Sequence, residues 1–322
     1  MQNTPIEPSK NTPAFPRLWK RVLFWVLFLI LFLGGFAFFI NLRLKPFLTR
    51  QIKEAITTST DGLYSISFDN VSVNILTGSA TFKNIRFIPD TLVYQKMILQ
   101  KAAPKHLFMV EVGQLTLRRI HPFKVYFQQK LEMSSLLIDR PKVKMIYQRL
   151  SQPQNTVIDN RNAYQRLSKY LRSIKIDDIK FQDADFQYID KSARRNKLTS
   201  LRNLNIDIAG LLIDSASSAA TTKLYYTDNI SIQMQDYEYR SPNGMYDVKI
   251  KEFMASTKDK YARIVGLRLI PRYNEMQFTE KLKVWAERFA LRFDEVLLEQ
   301  IDFKAFNTDR LLVASTLKIS NS

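Results

Sequence analysis

An eight-residue pattern of apolar and polar positions recurs along this chain of 322 residues and limits what the chain can fold into. Two apolar residues separated by one position are followed by a middle pair, and then by two more apolar residues with the same spacing. A strand with one buried face keeps its apolar residues at alternate positions, so each copy predicts a β-strand whose alternation slips by one. The middle pairs are Asp69-Asn70, Gly113-Gln114, Ser134-Ser135, Asp177-Asp178, Lys251-Glu252 and Asp294-Glu295.

Two local structures would produce such a slip. A β-bulge inserts one residue into a strand, which bends the strand and returns the apolar side chains to the same face. A two-residue hairpin would instead reverse the chain, but hairpins of that length favour Asn-Gly or Asp-Gly, and none of the six pairs is of that kind. We therefore favour bulges, which suit a curved sheet, over hairpins.

Shorter alternating segments lie between these copies and predict further strands of an antiparallel sheet with one apolar and one polar face. They are Ser79–Ile88, Pro141–Gln148, Asp185–Asp190, Leu204–Ile213 and Ala262–Ile270. Helical spacing predicts a helix at Phe47–Thr57 and helical insertions at Arg161–Leu171 and around Glu275–Phe289. The predicted fold class is mostly β with a single N-terminal transmembrane helix: a curved, twisted antiparallel sheet or groove with a few short helices.

Residues 22–40 form an apolar run without a charge. At about 1.5 Å per residue the run spans roughly 28 Å, about one hydrocarbon core. A signal peptide would have a shorter apolar core followed by a small-residue cleavage site, and no such site follows here. We predict a membrane anchor at residues 17–45 after a disordered tail at residues 1–16. Lys20 and Arg21 abut the run and place the N-terminus in the cytoplasm, although four basic residues flank each side.

Composition argues against several classes of function. The absence of cysteine removes disulfides, thiolate metal sites and cysteine nucleophiles. No zinc-protease, serine-hydrolase or nucleotide-binding signature occurs, so we expect neither enzymatic activity nor a cofactor. A net charge of +18 favours anionic partners. The densest basic run, Ser192–Lys197, is shorter than a nucleic-acid-binding tail, so we expect acidic lipid head groups and no nucleic acid.

Four aspartates lie close together in the segment Ser173–Phe186 and raise the question of a metal or catalytic site. Asp177 and Asp178 form the middle pair of one copy of the pattern, and the same two positions hold Ser-Ser, Gly-Gln or Lys-Glu elsewhere. These pairs share polarity and not ligand chemistry. Asp183 and Asp185 flank an alanine and most simply mark a turn between two strands. We therefore expect no metal site here, and His121 is interpreted as a residue of a loop between strands.

These features together resemble the AsmA-like family of bacterial envelope proteins, which are relatives of TamB and of the chorein-type lipid-transfer proteins. The segments that carry the resemblance are the N-terminal apolar run, Leu48–Phe87, Val110–Ile146 and Ser173–Asp190. The resemblance spans most of residues 17–320 and rests on the order of the patterns, without a catalytic signature. Family members are often much longer, so either a short member or a chain that stops inside a longer protein is expected.

The resemblance implies a bacterial inner-membrane protein with a single membrane pass at residues 22–40 and a periplasmic, β-rich domain at residues 46–322. It also implies a groove whose apolar face handles phospholipid acyl chains in outer-membrane biogenesis. The candidate lining residues are Ile66, Phe68, Val71, Ile174, Ile176, Ile179, Phe181, Leu291 and Phe293.

Two alternatives stay open at this point. The candidate lining residues would equally fill the core of a closed β-sandwich. In that case a scaffold or outer-membrane protein assembly factor, which binds envelope proteins through its sheet edges, is the second functional hypothesis.

Overall fold

A computed structural model describes the chain at 46, 49–74, 77–150, 162–168, 171–192, 197–219, 224–241, 243–284, 287–309 and 311–321. The chain divides into two compact units, Met1–Leu48 and Thr49–Ser322. All of the structure discussed below belongs to the second unit. The predicted anchor lies outside the described residues.

Twelve strands form one open, curved sheet, which confirms the mostly β prediction. The strands follow one another across the sheet in chain order, except that β1 and β2 both pair with β3. Their bounds are β1 Tyr64–Ser67, β2 Asn70–Asn74, β3 Ser79–Pro89, β4 His106–Arg118, β5 Lys130–Tyr147, β6 Ser173–Asp190, β7 Lys197–Ile213, β8 Asn229–Arg240, β9 Tyr246–Ser256, β10 Tyr261–Pro271, β11 Leu291–Glu299 and β12 Thr316–Ser320.

Short helices occupy the connections between strands. They are α1 at 49–59, α2 Thr91–Leu99, α3 Pro122–Gln128, α4 Ala163–Leu167, α5 Ser215–Ala219, α6 Glu275–Leu282 and α7 Phe303–Asp309, with one 3-10 turn at Leu224–Tyr226. Local capping sets several of these bounds. The Asp90 carboxylate accepts hydrogen bonds from the Leu92 and Val93 amides at the start of α2, and Lys283 ends α6 in a left-handed conformation.

The structure bears out most of the predicted strands and shortens the helices. The predicted helix at 47–57 is found as α1, with residues 47 and 48 outside the described part of the chain. Among its described residues, 162–168 and 171, the insertion predicted at Arg161–Leu171 contains the five-residue helix α4, and the helix predicted around Glu275–Phe289 stops at Leu282. The segment Ser192–Lys197 falls largely outside the described residues.

One pair of neighbouring strands departs from the antiparallel prediction. β5 and β6 run parallel along their whole length, from Lys130 beside Ser173 to Tyr147 beside Asp190. A parallel pair requires the connecting chain to return to the starting end of the sheet, so a long crossover must join these strands. Every other pairing is antiparallel within the described residues.

The predicted slips fall on two rows that cross the sheet, which we call the first and second crease. In each row the ladder of paired residues is interrupted: it skips two pairs between β5 and β6 and between β9 and β10 in the first crease, and one pair at the other antiparallel or parallel pairings that keep their register. The first crease contains Asn84, Gly113, Arg140 and Asp183 on β3 to β6, and Asp236, Lys251, Gly266 and Asp294 on β8 to β11. The second crease contains Ser134, Asp177 and Gly210 on β5 to β7. Asn84, Arg140, Asp183, Asp236, Gly266 and Gly210 have positive φ angles, between 48° and 66°.

The creases correct the prediction of bulges. A bulge places two residues opposite one and shifts the register, whereas the register is the same on both sides of Gly113: Val112 faces Pro141 and Gln114 faces Asp139. A left-handed residue on one strand lies in the same row as its partner on the next, as Arg140 does beside Gly113, so the apolar faces on the two sides stay aligned and no residue is inserted. Among the strand pairings of the described residues, only β6–β7 carries register shifts, on either side of Ala184.

The turn predicted at Asp183–Asp185 is wrong. β6 continues without a break from Ser173 to Asp190, so the two segments predicted as separate strands are one strand of 18 residues. Asp183 has a φ of +50° in the first crease, and its amide donates a hydrogen bond to Asn205 Oδ1 at 3.0 Å. A polar residue that tolerates the left-handed conformation marks the crease as readily as it would mark a turn.

Candidate functional site

One row of neighbouring residues is apolar across the entire sheet from β2 to β12, and we call it the central apolar row. Each member is the Cα partner of the next on the adjacent strand. The members are Val71, Phe82, Leu115, Ile138, Phe181, Ile206, Ile232, Ala255, Ala262, Leu298 and Leu317. At about 4.8 Å between strands the row is about 48 Å long. It gives the sheet a continuous apolar face.

The next row belongs to the opposite face and is mostly polar, which shows how sharply the two faces differ. It runs through Ser72, Thr81, Thr116, Leu137, Lys180, Asp207, Ser231, Ser256, Tyr261, Glu299 and Thr316. Leu137 and Tyr261 are its only large hydrophobic members. A one-residue change of register would exchange these two rows, so the sequence fixes the register strongly.

The apolar face continues on both sides of the central apolar row and across the first crease. On one side of the central apolar row lie Val73, Ala80, Leu117, Leu136, Ile179, Ile208 and Ile230. Across the first crease lie Ile66, Phe87, Val110, Val143, Phe186 and Leu201, and further along the sheet Tyr239, Val248, Leu269 and Leu291. The creases therefore extend the apolar surface, because each strand keeps the same face after its slip.

The structure brings seven of the nine predicted lining residues together on this face. Ile66, Phe68 and Val71 pack with Phe82 and Ile85, and the rings of Phe68 and Phe82 meet edge to face at 5.4 Å between centroids. Ile174, Ile176, Ile179 and Phe181 belong to a neighbouring cluster around Met133. Leu117 and Ile120 pack against both clusters, which makes them continuous.

The remaining two predicted residues, Leu291 and Phe293, lie on the same face but farther along the sheet. They face Leu269 and Leu267 on β10. Exposure of the apolar face rises in this direction, from 6% at Ile176 on β6 to 43% at Leu291 and 58% at Leu317. The apolar face is thus most open near β12.

One short helix covers part of this face near β2. Ile52 of α1 packs on the cluster of Val71, Phe82 and Ile85. Within the described part of the chain, the residues that pack against the Met133 cluster lie on β4 to β7, apart from Ile120. The described strands all belong to one sheet, so no second sheet closes over the apolar face there, in contrast to a β-sandwich.

Ion pairs between neighbouring strands stabilise the polar face. Arg263 on β10 donates to Glu295 on β11 at 2.5 Å, and Lys249 on β9 donates to Glu238 on β8 at 2.5 Å. The hydrogen bond and the charge of Glu295 raise the pKa of Arg263. The apolar face has the opposite character: burial, with a smaller effect of Tyr239, raises the pKa of Tyr237 above its usual value.

Sequence reasoning missed most residues of the apolar face because it selected lining residues from only four strands. The rest, including Ile138, Ile206 and Ile232, lie in segments already predicted to alternate or in weaker alternating runs. That these residues share one face with the predicted lining residues is seen only from the residues they pair with on the neighbouring strands. Asn84, Arg140 and Asp236 were also missed as crease residues, although each is a polar residue that interrupts an alternating run.

The aspartates of Ser173–Phe186 and the two histidines do not come together in one catalytic or metal-binding site. Asp177 forms an ion pair with Lys175 at 3.6 Å, and Asp183 lies in the other crease. In the part of the chain that the structure describes, no group of three His, Asp or Glu side chains is arranged to hold a metal ion. His121 precedes α3 between β4 and β5, as predicted, and His106 contacts the ring of Tyr147.

The sequence matches no protein-family model and no curated protein. The resemblance to AsmA-like proteins therefore stays a hypothesis that rests on the pattern and on the apolar face. None of the helices in the described ranges is long and apolar enough to cross a membrane, and the predicted span at 22–40 lies outside those ranges.

Proposed function

We propose that this chain is an AsmA-like protein of the bacterial envelope whose apolar face handles phospholipid acyl chains. A helix at residues 22–40 anchors it in the inner membrane, with the N-terminus in the cytoplasm and the β-rich part in the periplasm. The protein acts in outer-membrane biogenesis without catalysing a reaction. Its partners are phospholipids and other envelope proteins.

The central apolar row carries this proposal. Soluble domains rarely leave large contiguous apolar patches exposed unless the patch binds a ligand, a membrane or a protein. Here the apolar row is about 48 Å long at the strand spacing of a sheet, and its members range from buried at Val71 (4% exposed) to open at Leu317 (58% exposed). The residues of the central apolar row have only aliphatic and aromatic side chains. Such a surface suits acyl chains, because acyl chains have no hydrogen-bonding groups that the protein would need to match.

Two neighbouring residues on β6 provide a test with a built-in control. Phe181 belongs to the central apolar row, and Lys180 belongs to the polar row on the opposite face. A photoreactive amino acid is placed at one position or the other in the full chain, which is then irradiated in bacterial membranes, purified and analysed by mass spectrometry. We expect phospholipid adducts at position 181 and few at position 180. Equal yields at both positions, or no adduct at either, would contradict the proposal.

A second candidate function has its own structural support. Within the described residues β12 pairs only with β11 and leaves one edge open, and its apolar-face residues Leu317 and Ile319 are more than half exposed. An edge of this kind accepts an added strand from a partner. A scaffold that binds envelope proteins at β12 would yield protein adducts from a photoreactive residue at Lys318, where the lipid proposal yields none.

A further inference from the structure

α3 presents three aromatic side chains to solvent at one end of the sheet. Phe123, Tyr126 and Phe127 are 76%, 82% and 73% exposed. Their spacing of three and four residues places them on one side of the helix. The ring of Phe127 stacks on Phe123 at 6.3 Å and meets Tyr126 edge to face at 5.0 Å, so the three rings form one cluster.

The other side of α3 contacts the sheet. Because these contacts fix the orientation of the helix, the aromatic cluster points away from the sheet. Lys124 Nζ donates to Glu132 Oε2 on β5 at 2.5 Å, and the His121 amide donates to the Glu132 carbonyl at 3.2 Å. Val125 is half-buried, in contrast to its neighbours Tyr126 and Phe127. Exposing three aromatic rings in this way is costly in water unless another phase or partner covers them.

Basic residues flank α3 at both of its ends. Arg118 and Arg119 precede α3, and Lys130 and Arg172 lie beyond its other end, where the Arg172 amide donates to the Gln129 carbonyl at 2.7 Å. Among the described residues, none of these four side chains is within ion-pair distance of a carboxylate. Their charges are available to an external anion.

A pocket of about 500 Å³ lies beside the same two arginines. Its lining combines Arg118 and Arg119 with the hydroxyl groups of Thr77, Ser79, Ser134 and Ser135, and Asp178 is its one carboxylate. Gly78 makes this arrangement possible: it has a φ of +61°, and a Cβ atom there would lie 2.6 Å from the Ile120 carbonyl oxygen. Guanidinium and hydroxyl groups together are the donors that bind phosphate oxygens.

We infer that this end of the sheet docks on the surface of an anionic bilayer. Phe123, Tyr126 and Phe127 lie at the headgroup level, where aromatic side chains are favoured, and Arg118 and Arg119 bind lipid phosphates in the adjacent pocket. The positive charge and the aromatic rings together match an anionic lipid interface, which offers phosphates to the arginines and the headgroup level to the rings. The inference rests on the proposed function only in placing the protein at a membrane, and it names the surface that makes the contact.

The absence of cysteine permits a direct test on the full chain, because one introduced cysteine gives one labelled site. Tyr126→Cys carries an environment-sensitive fluorophore on α3, and Met276→Cys, at an equally exposed position (84%) on α6, is the matched control. The labelled chains are reconstituted in vesicles of phosphatidylethanolamine and phosphatidylglycerol. Nitroxide-labelled lipid is present either in the same vesicles or in a second vesicle population added afterwards.

We expect lipid quenching of the label at position 126 in at least one of these two arrangements, and little quenching at position 276. Arg118→Gln and Arg119→Gln should each weaken the contact about fivefold, as expected for removing one basic residue from an anionic surface. Replacing phosphatidylglycerol with phosphatidylcholine should weaken it as well.

Two results would overturn the inference. The first is quenching at position 126 that does not exceed that at position 276 in either arrangement. The second is seen when iodide, a quencher dissolved in the water, is added to the same samples. If neither iodide nor nitroxide-labelled lipid quenches the label at position 126, a protein partner or a second copy of the chain covers it. Adducts at Phe181 report on the apolar face alone, so failure of the docking surface is distinguishable from failure of the proposed function.

Discussion

Gly210 lies so close to Asp228 that a Cβ atom on the glycine would be 1.9 Å from Asp228 Oδ2. Gly210 also has a φ of +65°, which side-chain-bearing residues rarely adopt. It lies in the second crease opposite Asp177, between the pairs Ile176–Leu211 and Asp178–Ala209. Backbone conformation and close approach therefore both require glycine at this position.

Gly210→Ala should lower the free energy of unfolding by about 2–3 kcal/mol, because the left-handed conformation and the overlap with Asp228 both cost free energy. Urea denaturation of the full chain in detergent, followed by near-ultraviolet circular dichroism, measures the change. Gly244→Ala is the matched control. Gly244 also has a positive φ, +72°, but the nearest atom to its Cβ position is 3.7 Å away. Equal losses in the two variants would show that the contact with Asp228 contributes nothing.

Asp183→Val should destabilise the protein by about 1–2 kcal/mol, because a β-branched residue is strained at a φ of +50°. Asp185→Val, two residues along the same strand and outside the set of positive-φ positions, serves as its control and should change stability much less. Asp183→Gly should be tolerated. If the valine variants at positions 183 and 185 were equally stable, the first crease would not depend on the conformation of Asp183.

The six middle pairs show how far the sequence predicts this fold. Their spacing is sufficient to predict strands that change phase and keep one apolar face, because burial acts on each strand separately. It is not sufficient to distinguish a bulge from a crease, because the two differ in whether the register with the neighbouring strand shifts. Gly113 is recognised as a crease residue only because its neighbours in the row, Asn84 and Arg140, show that the register is unchanged. The parallel pairing of β5 and β6 likewise depends on a crossover, which alternation does not encode.

The candidate site follows the same logic. Phe181 and Ile176 were predictable as members of an apolar face, because they alternate with Lys175, Lys180 and other polar residues. The central apolar row was not predictable, because it depends on the registers of ten strand pairings in succession. α3 was missed for a different reason: Phe123, Tyr126 and Phe127 have helical spacing, but the helix is only seven residues long and its aromatic side lies in solvent.

Acid should weaken the attachment of α3 to β5. The hydrogen bond from Lys124, which outweighs the opposing effect of burial, holds the pKa of Glu132 below its usual value of 4.5. A carboxylate with a lowered pKa in the folded state stabilises the protein above the unfolded pKa and loses that contribution as the pH falls through the folded pKa. The stabilisation should therefore be present at neutral pH and decline as the pH falls below the unfolded value of about 4.5.

Lys124→Met isolates this effect. The pair is partly exposed, so the variant should lose only about 0.5 kcal/mol at pH 7, and the difference from the wild type should be smaller at about pH 3. Denaturation curves at the two pH values, together with the NMR titration of the Glu132 side chain, measure both quantities. A difference in stability that stayed constant with pH would show that Lys124 acts through packing of its aliphatic chain and not through its charge.

A single charge on the central apolar row should displace bound phospholipid. Ile232 belongs to this row, whereas the preceding residue, Ser231, belongs to the polar row. Ile232→Glu places a carboxylate among Ile206 and Ala255, where acyl chains would otherwise lie, and desolvating a charge beside them costs several kcal/mol. We expect the ratio of co-purified phospholipid to protein, measured by mass spectrometry, to fall at least severalfold in Ile232→Glu and to stay unchanged in Ser231→Glu. Near-ultraviolet circular dichroism tests that both variants keep the fold. Equal lipid content in two folded variants would mean that acyl chains do not lie along this row.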